Sequence, residues 1–169
     1  MKKFVFLSII MSIIALSSCK KNQPNNGCQF TESNLVAPES EQMALLDSLN
    51  AHNIQATKDP AGFYYTINNP GTPPAVANLC STITVFYKGS FFNGAVFDST
   101  TTGNSATFEL GQVILGWQKG IPLIKNTGDI TLYIPPSLGY GSEPYPNTGP
   151  IVIPANSYLI FHVVLEGIM

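Results

Sequence analysis

Between Gly62 and Met169 turn residues interrupt the chain every few positions, and this punctuation limits what it can fold into. Phe63-Tyr64-Tyr65-Thr66-Ile67 is an aromatic-rich run ending in Asn-Asn-Pro-Gly, a turn signal after a strand. A loop at Thr72-Pro73-Pro74 follows, and Thr82-Ile83-Thr84-Val85 then alternates before Phe86-Tyr87. Asn93-Gly94 marks a tight reversal. Thr107-Phe108-Glu109-Leu110, Asp129 to Ile134 and Ser157 to Glu166 read as further strands. Val113 to Gly120 suits one short helix carrying Ile114 and Trp117, stopped before Pro122. Between the last two strands lies Pro135 to Pro154, rich in Pro, Gly and Tyr. Strands dominate, and no βαβ alternation asks for a parallel sheet. The expected class is α+β with an antiparallel sheet.

Ahead of this domain, Met43, Leu46 and Leu49 recur at helical spacing with Leu45 beside them, and Ser40 is placed to cap. The spacing predicts a short amphipathic helix over about Glu41 to His52, within a helical extension spanning 39–61. Lys20 to Gly27 is Asn, Gln, Pro and Gly without periodicity, so 19–38 reads as a flexible tether.

The first eighteen residues read as an address. Lys2 and Lys3 precede Phe4 to Leu16, an apolar run broken only by Ser8 and Ser12. It is too short for a hydrocarbon core that needs about 20 residues, and it suits a signal-peptide core behind a positive start. Leu16-Ser17-Ser18-Cys19 resembles a bacterial lipobox, which implies cleavage before Cys19 and lipidation of its thiol. An ordinary secretory signal is the alternative; the cysteine at the end of the apolar run favours the lipobox. Several acyl chains hold a protein to a membrane where one does not. The chain is then exported and lipid-anchored to a bacterial membrane. Lys20-Lys21-Asn22-Gln23 lacks the acids that mark some surface-exported lipoproteins, which points to the periplasmic face of the outer membrane.

There is no arginine, and only 11% of residues are charged. Loss of Lys2 and Lys3 leaves six lysines against ten acids, a net charge of −4. Nucleic acid is disfavoured as a partner, because a phosphate backbone calls for clustered Lys and Arg. Disorder throughout is excluded by an aromatic content of 11% with so little charge.

A set of segments then falls in order. Tyr87-Lys88-Gly89 precedes Asn93-Gly94-Ala95-Val96-Phe97-Asp98-Ser99, followed by Phe108-Glu109-Leu110-Gly111 and Val113-Ile114-Leu115-Gly116-Trp117. Ile134-Pro135-Pro136-Ser137-Leu138-Gly139-Tyr140-Gly141 comes next, and Ile153-Pro154-Ala155-Asn156-Ser157-Tyr158-Leu159-Ile160-Phe161 closes the series. This order and spacing resembles the FKBP-type peptidyl-prolyl cis-trans isomerases over 62–169, nearly the whole domain of that family.

The resemblance implies a curved antiparallel β-sheet wrapped around a short α-helix, here preceded by a short N-terminal helix. It implies an apolar cleft lined by Tyr87, Phe97, Asp98, Val113, Ile114, Trp117, Tyr140 and Phe161, with Trp117 as the floor beneath the substrate proline. Val152 and Ile153 would lie on the flap beside it. The Ile114 N–H and the Tyr140 phenol would hold substrate carbonyls, and Asp98 would orient Tyr87 or meet the twisted amide. The activity implied is isomerisation of X-Pro bonds in unfolded or folding polypeptides, open to macrolide inhibitors and without cofactor or metal. The alternative is a catalytically weak chaperone or partner-binding module with the same cleft. Two departures bear on it. Ala106 stands where an aromatic often borders the cleft, which would widen it there, and the 141–153 flap is longer and carries Pro144, Pro146 and Pro150.

Each residue also has a plainer reading. Trp117 and Phe161 would be buried in any small sheet domain, and Asp98 could be an ordinary turn residue. His52 and His162 lack ligand-like spacing, so no metal site is expected; His162 reads as an outward position on a strand. Ser99 to Thr102 is a polar run without a base, which leaves hydrolase chemistry unsupported. Cys28 and Cys80 can close a disulfide in an oxidising compartment or remain free thiols, since sequence does not supply the Cα separation.

Overall fold

The structure is a computed structural model and describes residues 27–146, 148–150 and 152–169. The chain runs α1 (Glu39–Ala51), β1 (Thr57–Lys58), β2 (Tyr64–Asn69), β3 (Thr72–Val76), β4 (Thr82–Phe91), β5 (Val96–Ser99) and β6 (Ala106–Glu109). It continues through a 3-10 turn (Leu110–Gln112), α2 (Leu115–Gly120), a second 3-10 turn (Ile121–Leu123), β7 (Lys125–Asn126) and β8 (Asp129–Ile134). A third 3-10 turn (Pro136–Leu138) and β9 (Leu159–Ile168) complete it.

The main sheet is antiparallel, in the order β1-β2-β8-β9-β4, and β5 and β6 pair with successive parts of the remaining edge of β4. β9 explains the layering. Leu159, Phe161, Val163 and Leu165 are buried while His162 and Glu166 are exposed, the period-two alternation of a strand with one face on the core. Against that inner face lies α2. Ile134 of β8 sits over Gly116 and Leu132 over Gly120, so close that a Cβ at either glycine would lie 2.5 Å from the leucine or isoleucine side chain. Only glycine lets the short helix approach β8 this far.

The other face is covered by α1. Leu45 and Leu49 pack with Tyr64, Tyr133, Phe92, Tyr158 and Ile160 in a second apolar cluster. Tyr64 pairs with Tyr133, and Tyr133 with Ile160, so the covered residues form one row across three strands. Burying each leucine contributes roughly 1.5–3 kcal/mol.

Several expectations are corrected. Helix α1 begins after Pro38, and no side chain caps it; Ser40 lies inside its first turn. Its buried stripe is Leu45 and Leu49, four residues apart, whereas Met43 is 60% and Leu46 41% exposed. A strict three-residue repeat drifts around a helix with 3.6 residues per turn. Helix α2 starts at Leu115 rather than Val113, because Val113 and Ile114 are extended. Thr72-Pro73-Pro74 lies in β3, paired with β7 only at Thr72 and Val76; proline is tolerated on such an edge strand. The segment expected as a tether over 19–38 lies, from Cys28 onward, on the domain. Ala37 is buried in the core and its N–H donates to Ala61 O at 2.9 Å. The Lys119 ammonium donates to Ser33 O, and the Phe30 ring lies on Gly111, where a Cβ would collide with it. Cys28 and Cys80 are joined as a disulfide with Cα atoms 5.6 Å apart. The signal segment 1–18 and Cys19 lie outside the described residues.

Candidate active site

On the inner face of the sheet, rings meet edge to face around one indole. Trp117 of α2 is 4% exposed. Tyr87, Phe108 and Phe161 stand at 5.5, 5.9 and 5.3 Å from it between ring centroids, with planes 82–88° apart. Edge-to-face contact sets the positive rim of one ring against the negative face of another and adds about 0.5–1.5 kcal/mol per pair beyond burial. Phe97 of β5 extends the wall, meeting Phe161 at 5.4 Å and Phe91 at 5.0 Å. Gly89 makes this feasible, since a Cβ there would lie 2.6 Å from the Phe97 ring and 2.9 Å from the Phe161 ring.

Polar groups sit at the rim. The Tyr87 phenol donates to Asp98 Oδ2 at 2.6 Å. Burial, the hydrogen bond and the Asp98 charge together push the phenol well above the usual tyrosine range. Tyr87 is clasped through its backbone as well: its N–H donates to Thr100 Oγ at 3.1 Å, and its carbonyl accepts the Thr100 N–H at 3.0 Å. Tyr140 follows the 3-10 turn Pro136–Leu138 and is half-buried. Burial first, then Tyr145 and the Asp98 charge, push its phenol up. Tyr87, Asp98 and Tyr140 are therefore electrostatic neighbours. The Tyr140 hydroxyl has no hydrogen-bond partner among the described residues.

Ile114 precedes α2 with extended backbone (φ −60°, ψ 151°), and its carbonyl accepts the Trp117 and Gln118 N–H groups at 3.0 and 3.1 Å. Its own N–H meets no acceptor among the described residues. Gln118 fixes this corner by donating its amide to Val113 O at 2.7 Å and Gly111 O at 3.2 Å.

Of the residues expected at the site, Tyr87, Trp117 and Phe161 meet at the indole, Phe97 stands against Phe161, Asp98 and Tyr140 lie beside Tyr87, and Val113 and Ile114 pack against the same core just ahead of α2. Ile153 ends the flap as a buried residue. It is 2% exposed and part of the core, while Val152 beside it is 47% exposed. An isolated bridge between Tyr145 and Ile153 turns the isoleucine inward. Three contributors were not anticipated. Phe108 shares a face of β6 with Ala106, two residues away, and the strand alternation contained that signal. Tyr145 places its ring 4.6 Å from Tyr140, through a non-local bridge with no sequence signature. Thr100 belongs to the polar run, and only the fold turns it toward Tyr87. His162 is exposed and its Nε2 lies 2.8 Å from Asp129 Oδ1, away from these groups. A groove of about 490 Å³ opens elsewhere, between the 32–36 arm, Ala77–Leu79 and the outer side of α2; it contains none of the aromatic residues around Trp117.

The family described as FKBP-type peptidyl-prolyl cis-trans isomerase matches residues 74–166. The FKBP-type peptidyl-prolyl cis-trans isomerase FkpA of Buchnera aphidicola (subsp. Schizaphis graminum) is 44% identical over 113 residues, 66% of this chain and 43% of that protein. FkpA of Escherichia coli K12 is 39% identical over 105 residues, covering 62% of this chain and 37% of that protein. The chain thus spans less than half the length of these curated relatives. The crystal structure of FkpA from Escherichia coli superposes with a TM-score of 0.64 at 31% identity, covering 76% of this chain and 59% of that one. The crystal structure of AtFKBP13 gives 0.60 at 32% identity, covering 67% and 98%. With that family matching more than half of its residues, the chain belongs to the FKBP-type peptidyl-prolyl cis-trans isomerase family.

Proposed function

We propose that this protein accelerates cis-trans isomerisation of X-Pro bonds in unfolded or folding polypeptides. The observation that carries this reading is the box of rings around Trp117 with the Tyr87–Asp98 hydrogen bond at its rim. Rotation about X-Pro is opposed by amide resonance, with a barrier of roughly 18–20 kcal/mol for a peptide bond. Uncatalysed, it takes tens to hundreds of seconds. The twisted amide is less polar than the planar one, so an apolar box favours the transition state over the ground state. No nucleophile is required. The proline ring would lie on Trp117, and the Ile114 N–H and Tyr140 hydroxyl would hold carbonyls of the bound chain in a turn. Asp98 would keep Tyr87 protonated and oriented as one wall, and Val152 would flank the entrance from the flap. Macrolides that fill clefts of this family are expected to compete.

The same proposal extends to where the protein works. Residues 1–18 are read as a lipoprotein signal, Cys19 as the lipidated residue, 39–61 as a helical extension and 62–169 as the isomerase domain. The protein would then be exported and held at the periplasmic face of the outer membrane, meeting clients as they fold.

Turnover of a short X-Pro-Phe peptide by the full chain, with and without a macrolide, tests the activity. Macrolide-sensitive turnover is expected. A folded protein that binds the macrolide but does not turn over would leave a chaperone or partner-binding role. The proline-bearing flap beside Tyr145 favours that second reading, because it would govern access to the cleft.

A further inference from the structure

We propose that Glu41 of α1 is a positioning residue for Tyr140, so that the helical extension outside the family match takes part in holding substrate. The inference rests on the reading of Tyr140 as a hydrogen-bond donor to substrate.

Tyr140 stands between two glycines. Gly139 has φ −108° and ψ −116°, and Gly141 has φ +79°. Glycines on both sides give the loop wide backbone freedom, so its place must be fixed from outside. The fixing runs through the 3-10 turn Pro136–Leu138. Pro136 O accepts the N–H of Gly139 and of Gly141, each at 2.9 Å, so both neighbours of Tyr140 hang from one carbonyl. Gly141 O in turn accepts the Asn156 N–H at 2.9 Å, closing the far end of the flap. The turn itself is held by α1: the Ser137 N–H donates to Glu41 Oε2 at 2.9 Å, across 96 positions of sequence. A bond from an N–H to a carboxylate is stronger than one between neutral groups.

Glu41 is presented from a fixed element. Leu45 and Leu49 seat the helix on the sheet, and Gln42 donates to Ala37 O at 2.6 Å. Its charge also adds to burial in pushing the Tyr158 phenol up. The contact that ties the extension to the segment carrying Tyr140, Tyr145 and Val152 is therefore the Glu41–Ser137 hydrogen bond.

The test is a double-mutant cycle on the full chain, read as X-Pro-Phe turnover with a urea midpoint for each variant. Glu41→Ala is expected to lower kcat/KM about fivefold, and Glu41→Gln, which keeps an acceptor oxygen, to recover most of it. Glu41→Asp keeps the charge but is one methylene short of Ser137 and is expected to behave like alanine. If Glu41→Ala does not fold, the Asp and Gln variants make the same comparison. In a Tyr140→Phe background, loss of the Glu41 contact should change kcat/KM by less than about twofold, because its target is gone. Exposed Glu39→Ala should change nothing. Equal loss in both backgrounds would mean that Glu41 acts on stability or elsewhere, and overturns the inference. A silent Glu41→Ala beside a slowed Tyr140→Phe overturns it too. Wild-type turnover by Tyr140→Phe would instead remove the reading of Tyr140, and the inference with it.

Discussion

The Tyr87 phenol and the Asp98 carboxylate meet at 2.6 Å across adjacent strands, although the residue facing Asp98 in the β4–β5 register is Gly89. The bond is therefore diagonal, and it reaches over the one position whose missing side chain admits the Phe97 ring. Asp98→Ala should lower kcat/KM about tenfold, the scale of a lost charge-assisted hydrogen bond. The urea midpoint should barely move, because Asp98 is exposed. Tyr87→Phe keeps the ring and should cost less. Unchanged turnover in Asp98→Ala would reduce that residue to a strand-edge contact.

Stability should fall on the alkaline side. Tyr87, Tyr140 and Tyr158 all have phenols raised above the ordinary value of 10.0, chiefly by burial. A group that holds its proton more tightly when folded contributes fully below its unfolded value, and that contribution is lost as pH rises past it. The urea midpoint should thus be flat up to about pH 9 and drop above pH 10, more gently in Tyr87→Phe/Tyr140→Phe. The same slope in both proteins would assign the alkaline loss to other groups.

Reduction should loosen the arm. The Cys28–Cys80 link closes a separation of 52 residues, and such links typically contribute about 2–4 kcal/mol by restricting the unfolded chain. Unfolding in urea with and without reductant should differ by that amount in the wild type and not at all in Cys28→Ala. Peptide mapping without reductant should recover Cys28 and Cys80 in one species, and two alkylatable thiols would reject the link.

Lipidation has a direct readout. Labelled palmitate should enter the wild-type chain and be absent from Cys19→Ala, which should also leave the membrane fraction. Equal labelling of the two would end the lipoprotein reading.

The sheet was legible in the sequence because its strands alternate: Asp129 to Ile134 coincides with β8, and the one-sided burial of β9 follows the same period. Trp117 and its neighbours were legible because motif and fold place them on one short helix and the strands beside it. What remained hidden depended on contacts that leave no period in the sequence. Phe30 on Gly111, Tyr145 against Tyr140 and Glu41 on Ser137 join positions with no common local pattern. The burial of Ile153, bridged to Tyr145, has no local signal either. The stripe of α1 was misplaced because Met43 and Leu46 are as apolar as the leucines that are buried.

The row Tyr64, Tyr133 and Ile160 beneath α1 bears on how this protein can be handled in pieces. A fragment cut at the margins of the family match would begin inside β3 and lose β2 along with the helix. It would bare the β8 edge and an aromatic patch on the outer face, the two features that invite chains to associate. Such a fragment should precipitate or pair with itself whatever the chemistry of its cleft, and its poor yield would say nothing about catalysis.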